Sequence, residues 1–317
     1  MQQGLSFDRW LVLSAPLPPP GEEPLMVEAL RALGARAVER DGDRVLAWLP
    51  PPSQVDALLR EAEAAIRAGT SLRDPVLESS WQSAEEWARR WSADQRARRV
   101  SGRIVVAPVG GVAAETGAGA GPSELGADRR SKSRGGEPAL ARDDDPPIII
   151  RLDPAAAFGT ADHATTRACL RLLDAWIRAG DRVLDLGTGS GILAIAAARL
   201  SARRVLALDS DPLACAAAAH NAALNGVERH VEVREEAVRP HRLARLGRWD
   251  GVVANIGTTV LVPALPALRK RLARGGWLIL SGMLVTDRET FLAEAGRAGL
   301  ALREEEVEGG WWTAVFL

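Results

Sequence analysis

The chain has no tyrosine, two cysteines, three methionines and four histidines in 317 residues. Two thiols cannot build the disulfide framework of a small secreted domain. Cys169 and Cys215 both fall in Ala- and Leu-rich helical stretches, where a thiol acts as a small hydrophobe. His163, His220, His230 and His241 have no partner at ligand spacing, so no metal is expected. No apolar run approaches the ~20 residues needed to cross a bilayer, and no basic-then-apolar leader opens the chain. The expected address is the cytoplasm, with no membrane partner. Charge of one sign is also lacking: 40 basic residues face 41 acidic ones, for a net charge of -1. That balance gives no global field toward nucleic acid or an anionic membrane, so direct nucleic-acid binding is not expected and only a local patch stays open. Lysine is almost absent, at positions 132 and 270 alone, which reads as genome composition before function.

What is present is enough for a sizeable core, with 47% hydrophobic and 26% charged residues, and the length suggests two domains. The organising stretch is Val183-Leu184-Asp185-Leu186-Gly187-Thr188-Gly189-Ser190-Gly191 followed by Ile192-Leu193-Ala194-Ile195-Ala196. An apolar run ending in an acid, three glycines at alternate positions and then small apolar residues at helical spacing predict a buried strand turning tightly into a helix. Such glycines let a ligand approach the main chain, and the new helix aims free N–H groups and its positive dipole end at it. A second apolar strand, Val205-Leu206-Ala207-Leu208, ends in Asp209, where doubly wound folds hold a ribose hydroxyl pair. The spacing is G-x-G-x-G with Asp185 two positions ahead, which is not the dinucleotide fingerprint. It resembles the first motif of S-adenosylmethionine-dependent methyltransferases.

Along the chain, residues 7–13 predict a strand, 22–33 a helix, 37–40 and 44–49 a hairpin around Asp41-Gly42-Asp43, and 54–68 a second helix. That order fits a ferredoxin-like α+β sandwich. Residues 79–91 carry Trp81, Trp87 and Trp91; Trp87 and Trp91 share a helix face at i, i+4 and are expected to pack a connecting helix onto a domain, and residues 104–108 to form a short strand. Residues 110–147 are Gly-, Ala-, Ser-, Pro-, Arg- and Asp-rich and too poor in bulky apolar side chains to offset their ordering entropy, so a largely disordered linker is expected. The expected organisation is an α+β domain over 1–100, a linker over 101–147 and an α/β domain over 148–317. In the last, strands at 148–154, 230–234, 249–254, 277–281, 300–307 and 311–316 join the two already described, with helices at about 164–179, 212–225, 259–273 and 286–298. Asp162 or Thr165 is the expected N-cap of the first of these helices. Repeated strand-helix units closed by a hairpin predict a mainly parallel sheet covered on both faces. Asp185, Gly187, Asp209 and Asn255 then fall on one edge, where such sheets bind ligands.

Several stretches together resemble the ribosomal protein L-eleven methyltransferases, the PrmA family. They are Leu152-Asp153-Pro154, Ala157-Phe158-Gly159-Thr160, Thr165-Thr166, the glycine stretch, Leu208-Asp209-Ser210-Asp211-Pro212, Asn221 with Asn225-Gly226-Val227, Val253-Ala254-Asn255-Ile256 and Leu280-Ser281-Gly282. The match is strong over 148–317 and fainter before it. The resemblance implies a Rossmann-like S-adenosylmethionine-dependent methyltransferase domain, with a mainly parallel seven-stranded sheet, behind a small N-terminal domain that recruits the substrate protein. It implies S-adenosylmethionine as methyl donor and amino groups of ribosomal protein L-eleven, lysine or N-terminal, as acceptors, in a monomeric enzyme. Phe158, Gly159, Thr160, Thr166, Asp185, Gly187, Gly189, Gly191, Asp209 and Asn255 become the cofactor-binding set, with Asn255 also catalytic. No general base stands out, His163 being the one candidate. Ala155 and Ala161 replace two family glycines and Val109 a family tryptophan. A methyltransferase acting on another protein or a small amine, and a binder that has lost turnover, fit the same residues.

Overall fold

The computed structural model describes residues 9–35, 37–83, 86, 97–109, 147–153 and 163–317. They belong to two units, Met1–Ala93 and Asp94–Leu317. Among the described residues no helix is long and apolar enough to cross a membrane.

The first unit runs β1 (Arg9–Pro16), α1 (Glu23–Ala32), β2 (Ala37–Asp41), β3 (Arg44–Leu49), α2 (Val55–Gly69) and β4 (Glu78–Ser83). Its sheet has the order β2-β3-β1-β4, with every neighbour antiparallel, which is the expected ferredoxin-like arrangement. Alternation decides which face is buried: Leu11, Leu13, Val45, Ala47 and Leu49 project to one side and form a core with Met26 and Leu30 of α1 and Ala62 and Ile66 of α2. The hairpin turns at Gly42, whose φ of 61° a side chain would resist. Trp81 lies on β4, with the Arg9 guanidinium 4.1 Å from its ring centre, while Gln82 beside it accepts from the Trp48 indole N–H at 2.6 Å. Trp87 and Trp91 lie outside the described residues, as do 110–146 of the expected linker.

In the second unit, β5 (Arg98–Arg99), β6 (Ile104–Pro108) and β7 (Ile148–Leu152) make a small sheet in which β6 and β7 are parallel, Ile104 standing beside Ile148. Residues 104–108, expected inside the linker span, are therefore paired with the first strand after it. Arg103 and Ser101 anchor this sheet to α3 (Ala164–Trp176) by donating to the buried Asp174 carboxylate at 2.7 and 2.6 Å.

The large sheet is built from β8 (Arg182–Leu186), β9 (Arg204–Asp209), β10 (Val231–Glu235), β11 (Trp249–Asn255), β12 (Leu272–Leu284), β13 (Leu302–Glu308) and β14 (Trp311–Phe316). Its order is β10-β9-β8-β11-β12-β14-β13, parallel except that β14 runs against both neighbours. The central strands β8, β9 and β11 are almost continuously apolar because both of their faces are covered, whereas the edge strand β13, Leu-Arg-Glu-Glu-Glu-Val-Glu, is polar. Val183, Val205, Val253 and Ile279 meet α3, α4 (Ile192–Arg199) and α5 (Pro212–Leu224). Leu184, Leu206, Val252 and Leu278 meet a short α6 (Pro240–Leu243), α7 (Thr258–Arg271) and α8 (Arg288–Arg297). The chain leaves β8 toward β9 and β10 and then returns to β11 on its other side. The carboxyl ends of β8 and β11 thus flank the crevice where doubly wound sheets take ligands.

Candidate active site

Between β8 and α4 the three glycines carry φ values of 71°, 54° and 82° at Gly187, Gly189 and Gly191. A Cβ on Gly187 would stand 2.3 Å from the Ile256 side chain, and one on Gly191 would stand 3.0 Å from the α5 backbone at Ala218. The loop is therefore pressed between the end of β11 and α5, and only glycine fits at both places. Asp209, at the end of β9, accepts from the Gly189 N–H and the Asp211 N–H at 3.0 Å each, one on each carboxylate oxygen. Each oxygen keeps a further lone pair.

Asp185 sits one residue inside the end of β8 and is fully buried behind the loop. The Thr188 hydroxyl donates to its Oδ2 at 2.7 Å, and Oδ1 has no hydrogen-bond partner among the described residues. Burial pushes this carboxyl from the usual 3.8 up to about 7, with the Thr188 hydroxyl opposing the rise and the charge of Asp209 adding to it. A carboxyl whose folded pKa is raised gives stability that is complete below 3.8 and lost as the pH rises to about 7. Asp185→Asn should therefore raise the melting temperature of the protein at pH 8, by an amount equivalent to a few kcal/mol, and hardly change it at pH 4. Parallel melting curves for the two proteins at both pH values would contradict this.

Asn255 ends β11. Its amide N–H reaches the hydroxyl of Thr166 at 3.4 Å, a buried residue in the first turn of α3. The next residue, Ile256, is fixed from two sides: its N–H donates to the Ser281 carbonyl at 3.1 Å, and a Cβ on Gly282 would stand 2.7 Å from its backbone oxygen. The expected residues Thr166, Asp185, Gly187, Gly189, Gly191, Asp209 and Asn255 thus gather at one crevice. Phe158, Gly159 and Thr160, with Ala155 and Ala161, lie outside the described residues.

Three supports were not expected from the sequence. Asn221, wholly buried in α5, donates to the Ser190 carbonyl at 2.9 Å and accepts from the Asp153 N–H at 2.9 Å. One turn on, Asn225 accepts from the Arg151 N–H at 2.8 Å and donates to the Arg151 carbonyl at 2.6 Å. Together they tie α5 to the end of β7, and Asn221 ties that end to the glycine loop. Two asparagines in an alanine-rich helix were the available signal, because a buried amide needs partners. The α3 N-cap is His163, not Asp162 or Thr165: its ring nitrogen accepts from the Thr165 N–H, and the ring stands edge-on to Trp311 with centres 5.1 Å apart. Finally, Arg167 bonds Glu308, and Arg171 bonds Glu306 and Glu308 at 2.5 and 2.8 Å, lashing α3 to β13. Burial pushes Cys169 up to about 12 and Cys215 up to about 11, so both remain neutral thiols.

A strand-turn-helix with three glycines at positive φ, a carboxylate at the next strand end and a sheet in this order define the Rossmann-like class of S-adenosylmethionine-dependent methyltransferases. Within that class, residues 137–316 match the model of the family described as ribosomal protein L11 methyltransferase (PrmA). The ribosomal protein L11 methyltransferase of Pelotomaculum thermopropionicum is 36% identical over 269 residues, 84% of this chain and 77% of that protein. That of Symbiobacterium thermophilum is 35% identical over 306 residues, 92% of this chain and 87% of that protein. The crystal structure of ribosomal protein L11 methylase from Lactobacillus delbrueckii subsp. bulgaricus superposes with a TM-score of 0.56 at 27% identity, over 70% of this chain and 98% of that one. The chain belongs to the ribosomal protein L11 methyltransferase family.

Proposed function

We propose that this chain transfers methyl groups from S-adenosylmethionine to amino groups, lysine or N-terminal, of ribosomal protein L11. The observation that carries the reading is the meeting of Asp209, the glycine loop, Thr166 and Asn255 at one crevice. The crevice suits that cofactor. Asp209 has lone pairs to spare, and the buried Asp185 Oδ1 has no hydrogen-bond partner among the described residues. When bound, the cofactor supplies an electrophilic sulfonium methyl.

The protein's part is alignment and exclusion of water. Asp209 takes the two ribose hydroxyls while its bonds to Gly189 and Asp211 hold it still. Thr166 pins one side of the Asn255 amide, and the amide carbonyl then orients the lone pair of the incoming amine. A free lysine amine has a pKa of ~10.4, so the acceptor must enter neutral, and a dry crevice favours that form. The N-terminal unit is the substrate-recruiting part in this reading. A ribosomal protein as substrate also supports a cytoplasmic place of action.

The cofactor assignment is tested by calorimetry on wild type and Asp209→Ala. Losing a charged acceptor of two hydroxyl hydrogen bonds should cost about 1.5 to 3 kcal/mol, or roughly ten- to a hundredfold in S-adenosylmethionine affinity. Equal affinities would remove Asp209 from the site.

A further inference from the structure

The opposite edge of the large sheet holds a feature with no part in methyl transfer. Beneath the amino ends of β8, β9 and β10 lies an open cleft of about 740 Å³ whose walls carry Arg182, Arg203, Arg204 and Arg229. Arg182 and Arg204 begin neighbouring parallel strands and stand side by side in the register. Arg203 and Arg229 are exposed and form no ion pair among the described residues. The Arg182 guanidinium rests 4.9 Å from the centre of the Trp249 ring. Two carboxylates share the cleft. Glu232 is already engaged by Arg204 and Arg234 at 2.5 Å each, and Glu228 is the other. Four guanidinium groups against two carboxylates leave a local positive excess on a chain whose net charge is -1.

We propose that this cleft is a docking groove for the phosphodiester backbone of a single nucleic-acid strand. Two of the arginines face different ways, Arg182 resting on the Trp249 ring of β11 and Arg204 paired with Glu232 of β10, which does not suit a site for one small anion. They are spread along strand starts that lie about 4.8 Å apart, in a cleft far larger than one phosphate and open to solvent. Guanidinium forks suit phosphate oxygens bidentately, and a basic groove that tracks a backbone is how single strands are held without sequence preference. The inference stands apart from the methyl-transfer reading. Arg204 and Asp209 are opposite ends of β9, five residue steps or roughly 17 Å apart, so a strand in the groove leaves the cofactor crevice open. It also departs from the expectation drawn from net charge, because a balanced total conceals a local gathering of arginine.

The test is fluorescence anisotropy of a labelled single-stranded RNA oligonucleotide with the full chain over a series of potassium chloride concentrations. Wild type should bind with salt-sensitive affinity. Arg203→Gln/Arg229→Gln should weaken binding about tenfold or more at low salt and flatten the log-log salt slope by about 1.4, which is two single-strand contacts. Glu228→Gln should tighten binding. Both changes are on exposed side chains, and unchanged S-adenosylmethionine affinity would certify the fold of each variant. Equal affinity and slope in wild type and double variant would overturn the proposal. So would competition by pyrophosphate at the same molar concentration as the oligonucleotide, which would mark a compact anion site.

Discussion

Replacing Asn255 with alanine is expected to lower the single-turnover rate of methyl transfer by about a hundredfold or more and to leave S-adenosylmethionine affinity within about twofold. The asparagine is held by its strand, by the Ser281 carbonyl under the next residue and by the close approach of Gly282, so truncation removes a side-chain function without moving the backbone. Its amide already meets Thr166, so its orientation is set before an amine arrives. Preorganised groups of this kind act on the reacting geometry more than on ground-state binding. Quenched-flow transfer measured beside calorimetry separates the two effects. Full transfer rate with weakened cofactor binding would make Asn255 a cofactor ligand only.

Removal of residues 1–93 should spare cofactor binding and reduce transfer to intact ribosomal protein L11 by two or more orders of magnitude. The remaining unit owns its cores on both faces of the large sheet, and the first unit has a separate core of its own around Leu11, Leu13, Met26 and Ile66. None of the crevice residues lies in the first unit. A recruiting unit raises the effective concentration of its partner at the crevice, and that gain vanishes with it, by about 10² to 10⁴ when both contacts engage together. The comparison is run with L11 at micromolar concentration and with calorimetry as the check on folding. Transfer at the full rate by 94–317 alone would assign recruitment to the α/β unit.

Much of this was legible in the residues, and what was not has physical reasons. Strands such as Val205–Asp209 announce themselves because burial on both faces makes them continuously apolar, and the glycines because a turn against Ile256 and Ala218 tolerates nothing larger. The end of a strand is also visible as a polar residue after an apolar run, which put Asp209 and Asn255 on one edge. Strand β4 was not visible. Glu78-Ser79-Ser80-Trp81-Gln82-Ser83 is a polar edge strand with no apolar alternation, and its pairing with β1 is set by tertiary context. The pairing of β6 with β7 joins segments some forty residues apart, beyond any local pattern. Strand β12 begins at Leu272, earlier than its apolar run, since Gly275 at φ 74° lets the backbone continue through a polar stretch. The Asn221 and Asn225 clamps and the Arg167 and Arg171 lashings depend on partners distant in sequence, and the raised pKa of Asp185 depends on how much chain covers it.

The central claim is tested most directly by intact-protein and peptide mass spectrometry of purified ribosomal protein L11 after incubation with the full chain and S-adenosylmethionine. The account predicts stepwise methyl additions to lysine or N-terminal amino groups that depend on the cofactor and are lost with Asn255→Ala. Methyl label recovered on a small amine, on RNA or on another protein, with L11 unchanged, would contradict it.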